Sequence, residues 1–176
     1  ALPISLQIAN WDGSEFDPEG TAANVGSWRI MQGAESPTRN EKIVIGVETG
    51  NRITGMIWDG SSWSALPMNN LATVSQTFWW SFDVQYESQS GDAMLVWSNG
   101  STGSAGISYA TWDGSSWSAV QTITTPLSGE VKQRQIASDP NSDDIILVAK
   151  NGSSQDYALV WDGSAWGTSQ ILDSGG

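Results

Sequence analysis

Apolar and polar residues alternate in short runs along the chain, and no stretch carries a helical period. The segments "ISLQIANW" from Ile4, "RITGMIW" from Arg52, "GISYATW" from Gly106 and "QDYALVW" from Gln155 alternate as half-buried β-strands do, and each ends on a Trp. Trp11, Trp58, Trp112 and Trp161 then open the same Trp-Asp-Gly-Ser hairpin. A further short strand follows it, as in "SWSALPM" from Ser62, "SWSAVQTI" from Ser116 and "AWGTSQIL" from Ala165. Two more strands precede the hairpin in each full unit: "WRIMQGAES" then "EKIVIGVET", "FDVQYES" then "DAMLVWSN", and "RQIASDP" then "DIILVAK". The second of each pair is nearly all apolar, as expected of a strand covered on both faces. The turns between them, "PTRN", "QSGD" and "NSDD", are rich in residues that bond their own backbone or tolerate positive φ.

The hairpins recur at intervals of about 50 residues, the length of one four-stranded propeller blade. This predicts an all-β chain: a β-propeller-like array of four-stranded antiparallel blades in three and a half repeats. Residues 1–26 form a half blade, and 27–76, 77–128 and 129–176 form one blade each, in a single repeat domain. A β-sandwich built from the same strands is the alternative. Closed propellers typically need about four to eight blades. The open edges are therefore expected to be covered by self-association or by further blades outside this chain.

Composition narrows the chemistry. The 176 residues include no Cys and no His, which excludes a thiol nucleophile, a Ser-His-Asp triad and the usual zinc sites. With 7 Lys and Arg against 19 Asp and Glu, the net charge of -12 repels phosphate backbones, so nucleic acid is not an expected partner. No apolar run approaches the roughly 18 residues of a membrane span. The opening "ALPISLQIAN" has no basic region before an apolar core, so a secretion signal is expected upstream or already removed. Low charge density, abundant Ser, Thr, Gly and Asn, and sequons at Asn99 and Asn151 fit an extracellular or cell-surface protein, with both asparagines as glycosylation candidates.

Each hairpin solves the same corner problem. Gly takes a left-handed backbone at little steric cost, and the Asp carboxylate accepts bonds from the amides that follow. Asp12, Asp59, Asp113 and Asp162 are thus read as structural turn residues, with the flanking Trp rings packing between blades. The segment from Thr111 to Trp117, "TWDGSSW", resembles the Asp-box of sialidase-like propellers, Ser-x-Asp-x-Gly-x-x-Trp, shortened by one residue between Asp and Gly. The resemblance implies a folding element between the third and fourth strands of a blade rather than a catalytic one.

That family also implies a test for catalysis, since sialidases hold the substrate carboxylate with three Arg and use a Tyr with a Glu partner. Arg29 and Arg134 lie on the innermost strands and can point toward a central channel; Tyr86, Tyr109 and Tyr157 sit at alternating positions suited to core packing. Glu35, Asp83, Glu87 and Glu130 are the carboxylates available to a glycosidase pair, and spacing singles out no two of them. The expected function is therefore a non-catalytic module for adhesion, for carbohydrate or protein recognition, or for surface filament assembly. The alternative is part of a sialidase-like glycoside hydrolase.

For ligand binding the candidates are the aromatics outside the hairpin, Trp28, Trp79, Trp80 and Trp97, together with Arg29 and Arg134. Trp28 and Trp80 match when Glu35-Ser36 is aligned with Glu87-Ser88. No cofactor is expected. A calcium site is conceivable at Asp139, Asn141 and Asp143, although the glycine of an EF-hand loop is missing and Lys150 stands where its bidentate Glu belongs. The expected partner is an extracellular glycan or protein.

Overall fold

The computed structural model describes residues 7–9, 11–18, 20–21, 26–48, 50–68, 71, 73–74, 81–98, 106–123, 125–126 and 129–174. Among the described residues the regular elements are all strands: β1 (Gln7–Ile8), β2 (Gly20–Thr21), β3 (Trp28–Glu35), β4 (Lys42–Glu48), β5 (Ile53–Trp58), β6 (Trp63–Leu66), β7 (Phe82–Tyr86), β8 (Ala93–Ser98), β9 (Ile107–Trp112), β10 (Gln121–Ile123), β11 (Val131–Ser138), β12 (Asp144–Asn151), β13 (Asp156–Asp162) and β14 (Gln170–Asp173). Three sheets run β3-β4-β5-β6, β7-β8-β9-β10 and β11-β12-β13-β14, and a two-stranded pair, β1-β2, precedes them. Every pairing is antiparallel. Each sheet therefore uses its strands in chain order with no crossover, which is the blade of a propeller and not the crossed connection of a sandwich.

Adjacent blades pack face to face. Ile43, Ile45 and Val47 share one buried cluster with Phe82, Val84, Leu95 and Trp97 of the second blade. Met94, Val96 and Tyr109 share another with Ile136, Leu147, Leu159 and Trp161 of the third. Ile8 of the leading hairpin packs with Trp28, Met56 and Trp63 of the first blade. Strand β8 is buried on both faces because a blade covers each, whereas β4 buries Ile43, Ile45 and Val47 on one face and leaves Lys42, Val44 and Glu48 half-buried on the other.

Polar bonds lace the inner strands β7 and β11. The Ile136 amide donates to Asp83 Oδ2 at 2.9 Å, Ser138 Oγ donates to the Tyr86 carbonyl at 2.5 Å, and the Arg134 guanidinium donates to the Ser81 carbonyl. The turns after β3, β7 and β11 close with the same backbone bond: Ser36 to Glu41, Glu87 to Asp92 and Asp139 to Asp144. This register sets Ser36 against Glu87, one residue away from the alignment used to match Trp28 with Trp80.

The outermost strands also differ from expectation. β6 follows its hairpin at once, whereas β10 and β14 begin several residues later, after the isolated bridges Trp112 to Trp117 and Trp161 to Trp166.

Candidate functional site

The hairpin is built identically four times. Asp59 Oδ1 accepts the amides of Ser61 and Ser62, each at 2.8 Å, and the Ser61 hydroxyl at 2.8 Å. Asp113 does the same with Ser115 and Ser116, Asp162 with Ser164 and Ala165, and Asp12 with Ser14 and Glu15. These donors hold all four carboxyls below their usual range, Asp59 and Asp113 at about 2, with the Ser62 amide the main cause at Asp59 and the Ser115 hydroxyl at Asp113. Gly13, Gly60, Gly114 and Gly163 take positive φ of 105, 94, 94 and 86°. The carboxylates are thus spent on the turn.

The turn fixes a pair of rings. Trp58–Trp63, Trp112–Trp117 and Trp161–Trp166 meet at centroid distances of 5.8, 5.6 and 5.7 Å, and Trp11–Phe16 at 5.0 Å. Trp112 and Trp161 are buried against the preceding blade, while Trp117 and Trp166 stay half-buried at the mouths of two inter-blade clefts. The cleft between the first two blades, about 400 Å³, is lined by Pro67, Leu71, Ser115, Ser116, Trp117 and Ser118. That between the second and third, about 390 Å³, is lined by Tyr109, Gln121, Thr122, Ser164, Trp166 and Gly167 among others. Neither lining contains a charged side chain. A half-exposed indole beside hydroxyl and amide groups suits the apolar face and equatorial hydroxyls of a neutral sugar.

The residues expected to bind a ligand lie elsewhere. Trp97 is 2% exposed in the core and offers no face to a ligand. Trp28 lies flat on Gly46, where an added Cβ would stand 2.1 Å from the ring, and its Nε1 donates to Thr54 Oγ1 at 2.7 Å. Arg29 is exposed on β3, at the bulge between Trp28 and Ile30. Arg134 does not reach a channel: it is buried between β7 and β11, donating to the carbonyls of Ser81 and Val131, and burial draws its pKa down to about 10. Trp79 and Trp80 lie outside the described residues, as does Asn99.

Asn151 is corrected as a glycan acceptor. It is 3% exposed, its Oδ1 accepts the Ser153 and Gln155 amides, and its Nδ2 donates to Gln155 Oε1 at 2.7 Å. At the conceived calcium loop, Asp139 Oδ1 accepts the Asn141 amide and Asp143 Oδ1 accepts the Gln89 and Ser90 amides of the neighbouring blade. Among the described residues no group of three acidic, His or Cys side chains is placed to hold a metal.

The four carboxylates weighed for catalysis each have a separate partner. Glu35 pairs with Lys42, Asp83 accepts the Ile136 amide, Glu87 accepts Trp161 Nε1 at 2.6 Å, and Glu130 pairs with Lys132. Trp117 and Trp166, the half-buried rings at the cleft mouths, were not among the ligand candidates read from the sequence, because both rings of each hairpin were assigned to packing. The available signal was their place just past a tight turn, one strand-step from solvent.

Neither a family model nor a curated protein matches the chain. Solved structures do. A variant of Aleuria aurantia lectin in complex with Fucα1-6GlcNAc matches at TM-score 0.62 and 14% identity, over 97% of this chain and 58% of that one. The fungal lectin described as a six-bladed β-propeller with a novel fucose recognition mode matches at TM-score 0.61, 15% identity, and 97% and 57% coverage. The SapL1 lectin in complex with α-methyl fucoside matches at TM-score 0.55, 18% identity, and 96% and 58% coverage. The chain thus spans less than two thirds of the length of these structures. The likeness, together with the three sheets, establishes the β-propeller fold.

Proposed function

We propose that the chain is a non-catalytic carbohydrate-recognition module that binds neutral glycans by stacking them on a half-buried indole at the mouth of an inter-blade cleft. The observation that carries this is the uncharged cleft lining in which Trp166 stands beside Tyr109, Gln121 and Ser164. The fucoside complexes of the structurally similar lectins support the same class of ligand. So does the net charge of -12, which disfavours sulfated or sialylated glycans.

The reading places the module outside the cell or on its surface, where adhesion to an extracellular glycan is its use, and it requires no cofactor. The hairpin stands beside the Asp-box as a folding element of the same design. Self-association belongs to the reading too: Ile146, Val148 and Val160 of the last blade are exposed where their counterparts Ile43, Ile45, Met94 and Val96 are buried by the next blade. A second copy would cover them.

A glycan array followed by calorimetric titration tests the function. The chain is expected to retain neutral glycans, and Trp166→Ala to weaken binding by at least about tenfold, as loss of a stacking ring does. Retention of acidic glycans alone, or affinity unchanged in Trp117→Ala and Trp166→Ala together, overturns it.

A further inference from the structure

The two clefts share a hairpin but not a wall. Counting back three residues from the first Trp of the motif gives Gly55 in the first blade and Tyr109 in the second. Their cross-strand partners are Leu66 and Gln121. A Cβ on Gly55 would stand 2.9 Å from Ile45 Cδ1 and 3.0 Å from Leu66 Cδ2, so no side chain fits there. The wall facing Trp117 is instead made by Pro67 and Leu71.

Tyr109 instead sets its edge against Trp161 and Trp166, at 5.7 and 5.9 Å, and its hydroxyl donates to Gln121 Oε1 at 3.0 Å. With Oε1 engaged by the tyrosine, Gln121, which lines the cleft, has its Nε2 donors left for a ligand.

Donors on the Trp117 side are already used. Ser115 and Ser116 donate their hydroxyls to Asp113, and Ser118 donates to the Ala119 carbonyl. A sugar entering that cleft would stack on an indole while its hydroxyls lost water without replacement, and unpaired polar groups cost more than such a contact returns. In the second cleft the Ser164 hydroxyl is likewise spent on Asp162, but Gln121 adds a donor beside the ring.

We infer that the chain carries one sugar site, not two: the cleft between the second and third blades, with Trp166 as the stacking face, Gln121 as the hydrogen-bond donor and Tyr109 as the positioning residue that fixes the Gln121 carboxamide. This rests on the glycan-binding reading and assigns it to one cleft.

The test is titration with α-methyl fucoside, followed through the indole N–H signals of the intact chain, with Trp117 and Trp166 assigned from Trp117→Phe and Trp166→Phe. The expected result is a saturable shift of the Trp166 signal with one ligand per chain and a still Trp117 signal. Tyr109→Phe keeps the ring and is expected to weaken affinity about tenfold through the lost orienting bond, without changing the stoichiometry. Tyr109→Phe affinity equal to that of the parent removes the positioning role. Two ligands per chain, or equal shifts at Trp117 and Trp166, overturn the inference while leaving glycan binding intact. If no indole moves at saturating fucoside, the glycan reading fails for this sugar and the one-site inference with it.

Discussion

At the scale of single residues, carboxylates of two kinds set how stability responds to pH. Glu87 is buried between the second and third blades, accepting Trp161 Nε1 and the Ser90 hydroxyl; burial pushes its pKa up, and the neighbouring Asp143 and Asp92 add to the rise. Burial raises Asp83 as well, against the amides it accepts. For such groups the folded state binds the proton more readily than the unfolded chain, so stability grows as pH falls through the raised value. The hairpin aspartates act in the other sense. Their stability is complete above the ordinary carboxylate value near ~4 and is lost as pH falls toward the about 2 of Asp59 and Asp113. The thermal midpoint is therefore expected to rise on acidification from neutral pH toward the ordinary carboxylate range, then to fall below about 4. Glu87→Gln, whose amide oxygen still accepts from Trp161, should make the rising limb shallower, with Asp83 left to drive it, and leave the acid fall unchanged. A scan by circular dichroism across pH checks it, and a profile that only declines from pH 7 would contradict it. Such buried contacts were not legible in the sequence. Alternation tells which residues share a face but not which face a neighbouring blade covers, so Trp97 and Arg134, read as open to ligand, turn out to be interior.

At the scale of the element, the hairpin is the feature the sequence carried most fully. Four copies of Trp-Asp-Gly-Ser marked the third-to-fourth strand turn, and the alternation before each Trp located β5, β9 and β13. The fourth strands were less legible, because β10 and β14 pair only after an irregular stretch that keeps the strand composition without its ladder. The hairpins also differ in surroundings. Nothing stands within 4 Å of a Cβ on Gly13, whereas a Cβ on Gly114 meets the Arg39 guanidinium carbon at 3.1 Å. Arg39 comes from the first blade and donates to the Gly91 carbonyl of the second at 2.5 Å, so Gly114 lies at a blade junction. Both Gly13→Ala and Gly114→Ala place a side chain at positive φ, at a cost of about 1 kcal/mol or more. Gly114→Ala should lower the thermal midpoint by more than Gly13→Ala, since it also displaces Arg39. An equal drop in the two melting curves would mean that the junction yields freely.

At the scale of the whole molecule, the period revealed the architecture, but not where the proposed sugar site lies. That site depends on differences between repeats, Gly55 against Tyr109 and Leu66 against Gln121, whereas the repeat is recognised by what its copies share. The same comparison of copies describes the two ends. Trp161 and Trp166 of the third blade pack against Tyr109 of the second. Their counterparts in the leading hairpin, Trp11 and Phe16, are 57% and 66% exposed, and Val160 on the outer face of the last blade is 42% exposed. The described chain thus presents both halves of the outer part of an interface that it already makes internally. A second copy joining head to tail would bury Trp11 and Phe16 against Val160 and its neighbours, in a heterologous contact able to extend further. Light scattering should then give a mass that grows with concentration. Val160→Asp and Trp11→Ser sit at opposite ends of the chain, and each alone should return the protein to a monomer. Mixed in equal amounts they should form a dimer and nothing larger, because each variant keeps one sound face. A parent chain that stays monomeric, or a mixture that fails to pair, would leave those exposed rings to another role.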